Sequence, residues 1–138
     1  MSVTKVPRSP GSVEYRRVLE NNREVQMSLP NNSKCVIVWE FRVREGMQQQ
    51  FERTYGPDGN WARLFASDPA YCRTVLLRNC QQVRTYLTLD FWESEAAFLN
   101  FRGNSPEYPV LDSQCEGLTV SEREIGRFLW VAGDSIFA

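Results

Sequence analysis

The stretch Tyr55-Gly56-Pro57-Asp58-Gly59-Asn60-Trp61 constrains this chain more than any other. Proline lacks a backbone N–H and its ring clashes with the preceding turn, and glycine gives up the most conformational freedom in a helix, so Gly56, Pro57 and Gly59 are poor helix-interior residues. Upstream, Met47, Phe51 and Tyr55 recur every four residues; downstream, Trp61, Leu64 and Phe65 fall at i, i+3 and i+4. Each set lies on one face of a helix. The pattern predicts a broken helix, its first part ending near Tyr55 and its second starting near Asp58 or Asn60. The break gathers Tyr55, Asn60 and Trp61 beside whatever sheet the helix covers, either as a pocket wall or as part of a core.

The remaining elements follow from periodicity. Cys35 to Val43 is rich in β-branched and aromatic residues and stops before Gly46, which predicts a first strand. Tyr71–Arg78 and Thr85–Trp92 are separated by six residues, a length that suits an antiparallel hairpin. In the second of these, Leu87, Leu89 and Phe91 share one face and Tyr86, Thr88, Asp90 and Trp92 the other. Ser94 is an N-cap for a helix over Glu95–Phe101, with Gly103-Asn104 ending it. Tyr108, Leu111, Cys115 and Leu118 predict a further short helix, and Glu124–Val131 a last strand. The order is that of a ferredoxin-like βαββαβ unit, an α+β fold with helices on one face of a four-stranded antiparallel sheet. Val36, Val38, Leu76, Phe128 and Trp130 cannot all lie under the helices, so the second face needs a cover. A second copy of the sheet supplies one, which predicts a homodimer with a barrel-like core.

At 138 residues and 42% hydrophobic, the chain has material for one core and lacks a linker for two. Residues 1–33, bounded by Pro7, Pro10 and Gly11 and by Pro30-Asn31-Asn32-Ser33, are expected to form an extension, partly disordered or packed on a partner, and residues 34–138 the domain. Residues 1–34 carry six basic groups against three acidic ones, leaving ten against fourteen and no lysine thereafter. Nucleic-acid binding needs clustered basic residues and is not expected. No apolar run approaches the roughly 18 residues of a membrane span, and the N-terminus lacks a signal-peptide core. A cytoplasmic protein with no membrane partner is expected. Cys35, Cys72, Cys80 and Cys115 form no Cys-x-x-Cys pair, so neither a metal site nor a disulfide framework is signalled.

The run Val38-Trp39-Glu40-Phe41-Arg42-Val43-Arg44-Glu45-Gly46-Met47, then Phe51-Glu52, Tyr55 to Trp61, Tyr86 to Ser94, Phe98, Phe101 and Glu124-Ile125-Gly126-Arg127-Phe128, resembles the antibiotic biosynthesis monooxygenase domain family over residues 35 to 131. The resemblance implies a dimeric α+β barrel with one cavity per subunit between helices and sheet. It further implies that a phenolic, fused-ring aromatic is oxidised by dioxygen without metal or flavin, the substrate anion supplying the electrons. Haem-degrading relatives hold iron through a histidine; this chain has none, which sets haem degradation aside.

Such chemistry needs an apolar slot for flat rings, donors for a phenolate and a way to remove a proton. Asn60, Trp61 and Tyr55 are the candidate catalytic residues. Trp39 and Trp92 can stack on rings, Tyr71 or Tyr86 can hydrogen-bond, and Arg73 can favour an anion, which makes these five the candidate substrate-binding residues. Each also has a plainer reading: Trp61 as a core anchor, Asn60 as a helix cap, Tyr55 as a stripe residue, Arg73 as the partner of Asp90 or Glu40, and Trp92 as a plug at the sheet end. Without histidine, proton removal falls to Glu40, Asp90, a tyrosine, water or the substrate's own acidity. A non-catalytic ligand-binding or interaction dimer is the alternative.

Overall fold

Strict alternation of buried and less buried residues along β1, Cys35–Val43, sets the layout of the sheet. The computed structural model describes residues 34–133, so the expected extension over residues 1–33 lies outside the described residues. Cys35, Ile37, Trp39, Phe41 and Val43 point into the core. Next come α1, Gln48–Tyr55, α2, Asn60–Phe65, and the hairpin β2, Tyr71–Arg78, and β3, Thr85–Trp92. The chain then forms α3, Glu95–Asn104, α4, Glu107–Gln114, a single 3-10 turn, and β4, Thr119–Leu129. The sheet order is β2-β3-β1-β4, antiparallel throughout, with the helices packed on the Trp39 face. This is the expected ferredoxin-like arrangement.

The helix break forms as the glycine and proline content requires. The Gly56 N–H donates to the Glu52 carbonyl at 3.0 Å and closes α1, and the Gly59 N–H donates to the Gly56 carbonyl, also at 3.0 Å. A Cβ on Gly59 would sit 2.3 Å from the Thr54 carbonyl oxygen and 2.4 Å from that of Arg53. The tight reversal between α1 and α2 therefore excludes any side chain there. It folds Tyr55 and Trp61 to within 6.2 Å of each other, ring centre to ring centre.

Three boundaries differ from the sequence expectation. Helix α3 runs past Gly103 to Asn104, its start capped by Ser94, whose Oγ accepts from the Ala97 N–H at 3.0 Å. Pro109 sits inside α4, in the first turn, where its missing N–H would have had no helical partner. Strand β4 begins at Thr119, five residues earlier than Glu124, because Thr119–Arg123 pair with Glu40–Val43 of β1. That polar opening of β4 hides its strand character.

The β3 face that packs under the helices is Tyr86, Thr88, Asp90 and Trp92, all buried. Leu87, Leu89 and Phe91 lie on the opposite face, in register with Glu40, Val38 and Val36. Leu77 and Phe128 on that outer face are 46% and 50% exposed. In β2 a register shift between Tyr71 and Arg73 interrupts the alternation, so that Tyr71 and Thr74 both face inward while Arg73 faces outward.

Candidate functional site

A cavity opens between the inner face of the sheet and the helices. Its floor is Trp39 and Phe41 of β1, Thr88 and Asp90 of β3, and Glu122 of β4. Its walls are Tyr55 at the end of α1, Trp61 and Phe65 of α2, Phe98 of α3, and Tyr108 and Asp112 of α4. The helix break supplies one side: Phe41 and Tyr55 are 4.7 Å apart between ring centres, and Trp61 meets Tyr108 edge-on at 5.0 Å. The cavity volume is about 40 Å³, room for water molecules and well short of the several hundred cubic ångströms of a typical ligand pocket. A fused-ring ligand requires the aromatic walls to part.

Asp90 is the chemically distinctive group here. It is 8% exposed, and Thr74 Oγ1 donates to its Oδ1 at 2.7 Å; Thr74 Oγ1 in turn lies 2.7 Å from the Tyr71 hydroxyl. Burial pushes the Asp90 carboxyl up from the ordinary 3.8 to about 7, and the hydrogen bond from Thr74 opposes that rise without cancelling it. A group titrating there is matched to proton transfer near neutral pH. The tyrosines behave differently. Burial, reinforced by Cys115 and Glu122, holds the Tyr55 hydroxyl well above the ordinary tyrosine value, and burial also raises Tyr71 and Tyr86. They are donors, not bases. Glu40 is removed from the cavity altogether: it lies on the outer sheet face and accepts from Arg123 at 3.0 Å.

Of the residues singled out in the sequence, Tyr55, Trp61 and Trp39 come together around the cavity. Trp61 is 8% exposed, and its indole N–H closes no hydrogen bond, with the Tyr55 hydroxyl and the Cys115 thiol as its polar neighbours. Asn60 is exposed in the first turn of α2 and does not line the cavity. Arg73 stands on the outer sheet face with its guanidinium 5.3 Å from the Phe91 ring centre. Tyr86 faces inward but donates to Glu52 Oε2 at 2.6 Å, beside a separate groove under the hairpin. Trp92 is fully buried among Phe65, Tyr71 and Phe98, each about a ring contact away at 5.5 Å, which is the plug reading of that residue. Tyr71 is half-buried and reaches Asp90 only through Thr74.

Thr88, Tyr108, Asp112 and Glu122 join the cavity without a sequence signal of their own. Asp90 had one: a lone carboxylate alternating with Thr88 and Trp92 beside the aromatic side of β1. Among the described residues, no lysine or arginine lines this cavity, no group of three side chains could hold a metal, and all four cysteines are free.

Comparison with solved structures finds the same fold. SnoaB, a cofactor-independent oxygenase from Streptomyces nogalater, is 21% identical, with a TM-score of 0.56 over 75% of this chain and 97% of that one. NE2512, a protein of unknown function from Nitrosomonas europaea, is 12% identical, with a TM-score of 0.58 over 77% and 97%. PA3566 from Pseudomonas aeruginosa is 13% identical, with a TM-score of 0.55 over 75% and 100%. No curated protein matches. The family model for antibiotic biosynthesis monooxygenase matches residues 35–108, more than half of the chain and the segment that runs from the first cavity strand to Tyr108. The chain belongs to the antibiotic biosynthesis monooxygenase family.

Proposed function

We propose that this protein is a cofactor-independent monooxygenase of a phenolic aromatic, with Asp90 as the group that takes the substrate's proton. The observation that carries the reading is a buried carboxyl, tuned to about 7, on the floor of an aromatic-walled cavity. A phenol placed there hands its proton to Asp90 and becomes an anion hydrogen-bonded to a neutral acid, so the net charge in the cavity does not change. This matters in a site without a described cation. The anion gives an electron to dioxygen, and the two radicals join as a peroxide. Asp90 returns its proton to the peroxide, and loss of water then leaves a quinone carbonyl, one oxygen atom going to product and the other to water. Trp39 and Trp61 offer ring faces, and the Tyr55 hydroxyl and Trp61 N–H offer donors to the developing oxyanion.

Association through the outer sheet face to give a homodimer belongs to the same proposal, supported by the exposed Phe128 beside Val36 and the exposed Leu77 beside Leu87 on that face. Among the described residues no helix is long and apolar enough to cross a membrane, and four free thiols suit a reducing compartment such as the cytoplasm.

Oxygen uptake with a panel of anthrones and naphthols tests the oxygenase reading. Uptake is expected with at least one of them, to rise with pH through about 7 as Asp90 ionises, and to be lost in Asp90→Asn. Uptake that Asp90→Asn leaves intact overturns the role of Asp90. The small cavity favours a second reading, a ligand-binding or interaction dimer without catalysis. Saturable quenching of tryptophan fluorescence by a hydroxynaphthoquinone, with no oxygen uptake from any panel member, selects it.

A further inference from the structure

Asp90 lines the cavity, and the two residues hydrogen-bonded in series behind it do not. Thr74 has one hydroxyl hydrogen. While it donates to ionised Asp90, the Tyr71 hydroxyl must be the donor to Thr74; once Asp90 is protonated on Oδ1, the whole chain can reverse, Asp90 donating to Thr74 and Thr74 to Tyr71. Both links are 2.7 Å, short enough for a proton to pass. Thr74 is 6% exposed, whereas Tyr71 is only half-buried and stands at the start of β2, the edge strand of the sheet.

We propose that Thr74 and Tyr71 are the proton exit of Asp90, a two-hydroxyl relay that leads from the floor of the cavity to the open edge of the sheet. The proposal rests on the reading of Asp90 as the base and deepens it, because a carboxyl that is protonated in part near neutral pH must give that proton to solvent before it can take one from a substrate. The balance is simple. Before substrate arrives, the Asp90 O–H bond breaks and a Thr74 O–H bond forms as the Thr74 proton moves to the Tyr71 oxygen and the Tyr71 proton to water; the proton later taken from the substrate stays on Asp90 until it returns to the peroxide. One proton leaves, no electrons move, and rotation of the hydroxyls resets the chain. The other ionisable groups around Asp90 are Tyr55 on α1, Tyr108 and Asp112 on α4 and Glu122 on β4, all on the cavity side. None of them offers a route through the sheet edge. Tyr71 thus changes role, from a substrate contact to a positioning residue that acts through Thr74.

The test needs no substrate. In the full chain labelled with ¹³C at the aspartate carboxyl carbon, the Asp90 resonance is identified by its loss in Asp90→Asn and followed against pH. Thr74→Val should raise the Asp90 midpoint by roughly one to two pH units, because the carboxylate loses a donor, and Thr74→Ser should restore it. Tyr71→Phe keeps the ring packing and the bond from Thr74 to Asp90 while removing the one between Tyr71 and Thr74, so the midpoint should move far less than in Thr74→Val. Proton exchange at the midpoint should slow by roughly tenfold or more, turning one averaged resonance into two or a broadened one. An averaged Asp90 resonance that Tyr71→Phe leaves unchanged overturns the relay, as does a midpoint that Thr74→Val does not move. Oxygen uptake by 1,8-dihydroxyanthrone, measured alongside, separates the two ideas: its absence with the exchange result intact removes the oxygenase reading and leaves the relay standing.

Discussion

The indole of Trp61 meets the ring of Tyr108 edge-on, 5.0 Å apart between centres with the planes at 66°, and this contact is the seam between α2 and α4 across the cavity. Trp61 is therefore both a wall of the site and a member of the core. Trp61→Phe should lower stability by about 1–3 kcal/mol, measured by denaturant midpoint, since the smaller ring leaves space beside Tyr108 and Phe65. The same variant should also change the affinity for a hydroxynaphthoquinone, by about 0.5–1.5 kcal/mol. A stability loss with unchanged affinity would reduce Trp61 to packing alone.

Ionising Asp90 inside the protein is unfavourable, because its carboxyl titrates at about 7 when folded against an ordinary 3.8. The unfolded chain releases this proton first, so stability falls as pH rises from about 4 to about 7 and is level above. The single-group contribution is on the order of 4 kcal/mol. Asp90→Asn should flatten that part of the curve. Denaturation midpoints of both proteins at pH 4 and pH 8 check it, and an equal drop in both would place the titrating group elsewhere.

Gly59 has ordinary backbone angles, so its requirement is one of space, set by the Arg53 and Thr54 carbonyl oxygens. Gly59→Ala should cost about 1–3 kcal/mol, as overpacking does elsewhere. Gly117, where an added Cβ meets nothing within 4 Å, is the control; Gly117→Ala should change the thermal midpoint far less.

Phe128 is half exposed on the outer sheet face. Phe128→Glu should leave the fold intact while placing a charge in the proposed subunit interface, weakening association by about 3–5 kcal/mol. Light scattering at micromolar concentration is expected to give a dimer mass for the wild type and a monomer mass for the variant. A monomeric wild type removes the homodimer.

The strand and helix periodicities of Cys35–Val43, Met47–Tyr55 and Thr85–Trp92 were legible because each buries one face, and the helix break was legible because glycine and proline admit few conformations. The cavity was harder to see. Apolar residues mark what is buried, and on β3 they mark the wrong side: Leu87, Leu89 and Phe91 face away from the helices, while Thr88 and Asp90 face them. The cavity admits polar groups to the interior, and no periodicity rule anticipates that. Asn60 was legible as a break residue but not as an exposed one, since the first turn of so short a helix can rotate either way. Arg73 misled for another reason, the irregular register of β2.

That irregularity is a matter of parity. Residues 71 and 74 are an odd number apart, and on a strand of unbroken alternation they would point to opposite sides. The extra residue between Tyr71 and Arg73 changes the count, so two hydroxyls that the numbering should separate stand in line behind Asp90. With Cys72 deleted, Tyr71 and Thr74 would be two apart and would share a side by plain alternation, so the extra residue is what lets the same line form across an odd count. In this protein a chemical connection is written in the length of a strand as much as in the identity of its residues.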